Sequence, residues 1–147
     1  MTRLSQYLTQ DHADCDALFA DAENAVSEHD WPLANPRFAA FREATLLHFA
    51  REEDLLFPAF EAQTGMSHGP TQVMRAEHTQ IRALLDQMAA ALTQRSASQF
   101  LDSSETLLML LHQHNIKEEQ ILYPMSDQAL AEHAASLIAA MQARTEL

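Results

Sequence analysis

Two glycines in 147 residues leave little room for the tight turns that many short strands would need. The chain is therefore expected to be helical. Its single cysteine, Cys15, excludes an intramolecular disulfide. No run approaches the ~18–20 apolar residues of a membrane span, and the N-terminal MTRLSQYLTQDH lacks the apolar core of a signal peptide. A soluble, cytoplasmic protein is the expectation. Cationic residues are scarce, nine against 21 acidic ones, and the formal charge of −12 excludes a basic face for nucleic acid or for an anionic membrane. Against these absences stand a 47% hydrophobic content and eight histidines. The first supports one domain over residues 1–147 with a core of its own. The second, in so acidic a chain, raises the thought of multivalent cations, although a well-solvated surface accounts for the charge equally well.

Helical periodicity runs through nearly the whole chain. A first segment, about Leu4 to His29, places Leu4, Leu8, Cys15, Leu18, Phe19, Ala22 and Val26 at helical spacing. Trp31-Pro32 and Asn35-Pro36 interrupt it, and Asn35 reads as the N-cap of a second helix that opens on Pro36 and continues to about Gln63. Both glycines fall in the loop Thr64–Pro70. A third segment runs from about Thr71 to Arg95, and a fourth from about Ser98. A fifth, about 127–144, carries Leu130, Leu137, Ile138 and Met141 on one face. Pro58 and Pro124 each predict a kink or a helix end. Pro58 is expected to kink its helix, and Pro124 to separate the fourth helix from the fifth.

One phrase occurs twice. HFAREEDLLFP at 48–58 returns as HNIKEEQILYP at 114–124, an offset of 66, with His, Glu, Glu, Leu and Pro identical. The same offset carries Asp11-His12 onto Glu77-His78. The chain thus reads as two copies of one helical hairpin, forming an all-α, up-down-up-down four-helix bundle (about 4–125) with an additional C-terminal helix. The last helix is expected to pack outside the bundle or to form a dimer contact.

Residues four apart lie ~40° apart on one helix face, so His48 and Glu52 point together, as do His114 and Glu118. Helical rise brings His12 and His78 to the same height within a turn or two. Four imidazoles and two carboxylates can thus meet inside the bundle, where they would be costly if unpaired. Metal ions resolve that cost. His12, His48, Glu52, His78, His114 and Glu118 suit two first-row ions, with two histidines on each and both carboxylates bridging. An oxo or hydroxo bridge would complete five ligands per ion and leave one position open on each. Zinc and manganese suit the same donors as iron. One His-x-x-x-Glu is uninformative; two in matching contexts are not, although a duplication whose histidines only hydrogen-bond in the core stays possible. A ferritin-like bundle would need Glu-x-x-His on two helices, and that pattern does not occur.

Through Asp11-His12, HFAREEDLLFP, Glu77-His78 and HNIKEEQILYP, the chain resembles the hemerythrin-like, HHE cation-binding domains over about residues 8 to 125. The resemblance implies a four-helix bundle holding a non-haem di-iron centre, with the same six residues as ligands. Oxygen-carrying hemerythrins place a fifth histidine four residues after the first on the third helix, where this chain has Arg82, and their last carboxylate is an Asp five residues after its histidine. The four-His, two-Glu set is similar to the bacterial repair-of-iron-centres type. The implied roles are therefore stress-defence handling or sensing of iron, O2, peroxide or nitric oxide. A non-catalytic metal-binding module, an oxygen-binding hemerythrin and a purely structural bundle are the alternatives.

Neighbouring residues receive lesser readings. His112, two residues before His114, faces away if His114 faces in; the opposite register would lose the His–Glu pair. His29, His68 and His133 read as solvated. Asp16 and Arg82, each four residues after a candidate histidine, read first as solvated charges, with an ion pair across the bundle, or Asp16 orienting a histidine, as the alternatives. Glu53 and Glu119, about 100° from their neighbouring glutamates, read as surface acids, Cys15 as a buried inert thiol, and Tyr7 and Tyr123 as packing. A monomer or a homodimer is expected.

Overall fold

The computed structural model describes residues 2–147. Helix α1 spans Leu4–Ser27 and α2 spans Trp31–Arg51. A π-helical turn, Glu52–Leu56, carries α2 without a break into α3, Phe57–Thr64. Helix α4, Pro70–Thr93, is followed by α5, Ala97–Lys117, which passes through a second π-helical turn, Glu118–Leu122, into α6, Tyr123–Ala129. A 3-10 turn, Ala131–His133, leads to α7, Ala134–Ala143. The described residues contain no strand. The fold is the expected helical bundle with an extra C-terminal helix. Within it α1 pairs with α2 and α4 with α5, while α1 also packs on α5 and α2 on α4.

The repeat extends into the backbone of the connections. His29 and Arg95, again 66 apart, are the two non-glycine residues with positive φ among the described residues, at 56° and 52°. Each turns the chain out of its helix. The residues that follow, Asp30 and Ser96, cap α2 and α5 by accepting hydrogen bonds from the backbone N–H groups of Leu33 and Gln99. The second helix therefore starts at Trp31, five residues before the Pro36 predicted to open it. Pro32 sits in the first turn, where its missing N–H costs nothing, and Pro36 lies inside the helix.

The prolines of the repeated phrase are accommodated in a way that the sequence reading did not anticipate. Phe57 N–H bonds to the Glu52 carbonyl and Tyr123 N–H to the Glu118 carbonyl, each five residues back. Widening the turn gives the ring of the next residue, Pro58 or Pro124, room beside the preceding carbonyls. The helix continues past Pro124, which ends nothing. The break comes instead at Leu130, so residues 127–129 belong to α6 and the last helix begins at Ala134. That helix lies against α1 and the first π turn. Arg51 holds its end, donating to the carbonyls of Met141 (2.9 Å) and Arg144 (3.1 Å).

Buried apolar side chains form two clusters. One, around Phe19, Phe38, Phe41, Ile81, Leu85, Met88 and Phe100, fills the end of the bundle nearest the α1–α2 and α4–α5 connections. The other, around Leu4, Leu8, Leu56, Phe60, Leu122, Ile138 and Met141, fills the opposite end. Between them lies a polar layer formed by His12, His48, Glu52, His78, His114 and Glu118, all buried.

Candidate metal centre

All six residues singled out by spacing face the bundle interior, and their side-chain nitrogen and oxygen atoms converge. Glu52, His78, His114 and Glu118 bring one donor atom each within 4.8 Å of one another, and His12, His48 and Glu118 do the same. Glu118 is common to both groups. His112 is exposed, as are His29, His68 and His133, so the register that would turn His112 inward is not adopted.

What orients the imidazoles is a ring of four further carboxylates. His48 Nδ1 donates to Asp11 Oδ2 (3.0 Å), His78 Nδ1 to Glu53 Oε2 (2.7 Å), His114 Nδ1 to Glu77 Oε1 (2.9 Å) and His12 Nδ1 to Glu119 Oε2 (2.7 Å). An ionised carboxylate only accepts, so Nδ1 must carry the proton in each case. Every carboxylate reaches the histidine of the adjacent helix. The ring runs from α1 to α2, from the first π turn to α4, from α4 to α5, and from the second π turn back to α1. Glu53 is thus not the surface acid that its 100° offset suggested, because α4 half-buries it. Glu119 stays exposed as expected, yet its carboxylate still reaches the histidine of the neighbouring helix. Asp11 and Glu77 occupy the residue before a candidate histidine; their repetition was visible in the sequence, their destination was not.

Three of these carboxylates are held in turn by cations. Arg51 lies 3.3 Å from Asp11, Lys117 pairs with Glu77, and Arg82 grips both oxygens of Glu53 at 2.9 and 3.0 Å. Burial works to raise Glu53, but the bonds from His78 and Arg82 outweigh it and hold its carboxyl down at about 2. Glu77 and Asp11 are likewise lowered against burial, Glu77 by Lys117 and His114, Asp11 by His48 and Arg51. Glu119 has no Lys or Arg partner among the described residues. The residue that matches Arg82 in the other repeat is Asp16, which is exposed. The alternative of an Asp16–Arg82 pair across the bundle is not adopted, because Arg82 is taken by Glu53.

With Nδ1 committed outward, each Nε2 faces the two central glutamates. The separations are 3.0 Å from His12 and 3.3 Å from His114 to Glu118 Oε1, and 3.1 Å from His78 and 3.5 Å from His48 to Glu52 Oε1. Two acceptors that close need a cation between or beside them. His78 Nε2, His114 Nε2, Glu52 Oε1 and Glu118 Oε2 are buried without a properly aligned hydrogen-bond partner. Metal–ligand bonds of ~2.0–2.2 Å, at angles between a right angle and tetrahedral, put neighbouring donors ~3–3.5 Å apart. The spacing and the unpartnered atoms therefore fit a metal. Without one, protons must serve. Burial works to lower His114, but Glu118, Glu52 and Glu77 raise it to about 9, and similar contests leave His12 and His78 raised. Burial and the adjacent Glu118 push Glu52 up.

Tyr123, which the sequence suggested was packing, lies in this layer. Its hydroxyl donates to Glu52 Oε2 at 2.7 Å and also lies 3.1 Å from Glu118 Oε1 and from His12 Nε2. In an α-helix a residue five beyond Glu118 would sit about 140° away. The π turn, at roughly 80° per residue, brings it to about 40°. Cys15 is half-buried rather than buried as expected, yet desolvation still pushes its thiol up to about 12, which keeps it inert.

These features define a helical bundle whose interior carries a His/Glu group able to hold metal. The chain belongs to the hemerythrin HHE cation binding domain family, whose profile matches residues 3–126. No curated protein and no solved structure matches it. None of the described helices is long and apolar enough to cross a membrane.

Proposed function

We propose that His12, His48, Glu52, His78, His114 and Glu118 hold two iron ions bridged by carboxylate and by an oxo or hydroxo group. We further propose that the protein handles or senses iron, oxygen species or nitric oxide in stress defence. The observation that carries the reading is the pair of donor groups sharing Glu118, with every histidine turned nitrogen-inward by its own carboxylate. Iron would supply redox change and affinity for small molecules. The chain's residues orient the donors, keep Nδ1 protonated and exclude water with the apolar layers above and below.

One feature bears on which member of the family this resembles in action. Arg82 stands where oxygen carriers place a fifth histidine, and its guanidinium is bound to Glu53. Four histidines then leave each ion less saturated, which favours reactivity over reversible oxygen carriage. Metal analysis and the optical spectrum of aerobically purified protein test the site: two irons and near-ultraviolet and visible absorption are expected. Bleaching or spectral change with peroxide or nitric oxide tests the role, and an iron centre inert to both would refute it.

A further inference from the structure

We propose that Tyr123 is a seventh protein ligand, supplying its phenol oxygen to the metal position formed by His12 and His48 and leaving the His78–His114 position as the one open to a small molecule. The inference rests on the dinuclear reading above and adds an asymmetry to it.

The geometry is that of a donor. Tyr123 Oη lies 3.1 Å from His12 Nε2, 3.4 Å from His48 Nε2, 2.7 Å from Glu52 Oε2 and 3.1 Å from Glu118 Oε1. These are the separations that atoms sharing a metal keep, ~3–3.5 Å, apart from the shorter hydrogen bond to Glu52. The side chain is wholly buried, and its ring stacks on His12 at 5.5 Å between centroids.

The other half of the bundle has no such oxygen. The residue that matches Tyr123 at the 66-residue offset is Phe57, whose ring lies 5.8 Å from that of His78 and offers only carbon. The inward histidine nitrogens follow the same division. His78 Nε2 and His114 Nε2 lack a hydrogen-bond partner, whereas His12 Nε2 and His48 Nε2 both face the phenol. One half of a symmetric cage is thus filled by the protein itself and the other is not.

Coordination breaks the phenol O–H bond and forms an oxygen–metal bond, with the proton passing to water and no change of oxidation state. A nearby cation reverses the field that the two carboxylates impose on the hydroxyl.

The test is the spectrum of the full chain loaded with ferric iron. A phenolate bound to ferric iron gives a charge-transfer band in the visible, and laser excitation in that band enhances tyrosine ring vibrations. The chain should hold two irons and show both signals, and Tyr123→Phe should keep the iron and lose both. A chain holding two irons without the band would overturn the inference and leave the dinuclear reading intact. Signals that survive in Tyr123→Phe would also overturn it, since Tyr7 is the only other tyrosine. Failure to retain iron at all would overturn the dinuclear reading itself. Should Tyr123→Phe not fold, ring-deuterated tyrosine in the unaltered chain settles the matter: the enhanced vibrations must shift, and an absence of shift sinks the proposal.

Discussion

Glu53 Oε2 stands 2.7 Å from Nδ1 of His78, and the same carboxylate is gripped by Arg82. Its repeat counterpart, Glu119, stands 2.7 Å from Nδ1 of His12 and has no cation among the described residues. The pair separates two effects that usually travel together. Glu53→Gln and Glu119→Gln should each weaken metal binding ~10–100-fold, because each loosens the orientation of one inward nitrogen. Only Glu53→Gln also removes an ion pair with a guanidinium, so it should destabilise the metal-free chain more, by about 0.2–1 kcal/mol given that Arg82 is partly open to water. Chelator competition and denaturant melts measure the two quantities. Equal stability losses would mean that Arg82 contributes nothing to the fold.

Glu118 belongs to both donor groups, whereas Glu52 belongs to the one containing His78 and His114. Both Glu52→Ala and Glu118→Ala should lower the metal content below two per chain. Glu52→Ala leaves His12, His48 and Glu118 together and should retain one ion. Glu118→Ala strips a donor from both groups and should retain less. Elemental analysis after dialysis against a weak chelator checks the order, and a full complement in either variant would disprove the bridging assignment.

The metal-free chain should have a bounded pH range of highest stability. Glu53 is held at about 2 against an ordinary 4.5, so its contribution is present above about 4.5 and fades as pH falls towards about 2. His114 is raised from 6.5 to about 9, so its contribution is complete below about 6.5 and fades as pH rises towards about 9. Thermal melts of chelator-treated protein should therefore peak between about pH 4.5 and 6.5. Metal must displace the proton on His114, so affinity should tighten as pH rises to about 9. A melting temperature that climbs steadily past pH 9 would contradict this balance.

The fold and the six converging residues were legible because each rests on a period that the sequence displays. His48 and Glu52 share a face through the i, i+4 rule, and the 66-residue echo set the same pair at His114 and Glu118. The orienting carboxylates were not legible, since Glu53 looks outward on an isolated helix and acquires its role only when α4 lies alongside. Tyr123 was hidden for a different reason. Angular arithmetic assumes a constant helix, and the widened turn just before Pro124 shifts every later residue. The start of α2 was misplaced because Pro36 looked like a helix opener, yet Asp30 already provides the cap.

The π turn itself can be tested by removing the residue that it accommodates. Glu119, Gln120 and Ile121 are three consecutive exposed positions, followed by the buried Leu122 and Tyr123. Deleting Ile121 would let an ordinary α-helix place Leu122 and Tyr123 on the Glu118 face, three and four residues on. The bundle beyond would keep its register. The obstacle is Pro124, which would then meet the carbonyl four residues back, at a cost of about 3 kcal/mol or more. The deletion alone should therefore be destabilised by about that amount, and combining it with Pro124→Ala should recover most of the loss. Denaturant melts of the deletion, of Pro124→Ala and of the combination give the coupling directly. If Pro124→Ala brings no recovery, the widened turn is not there to shelter the proline.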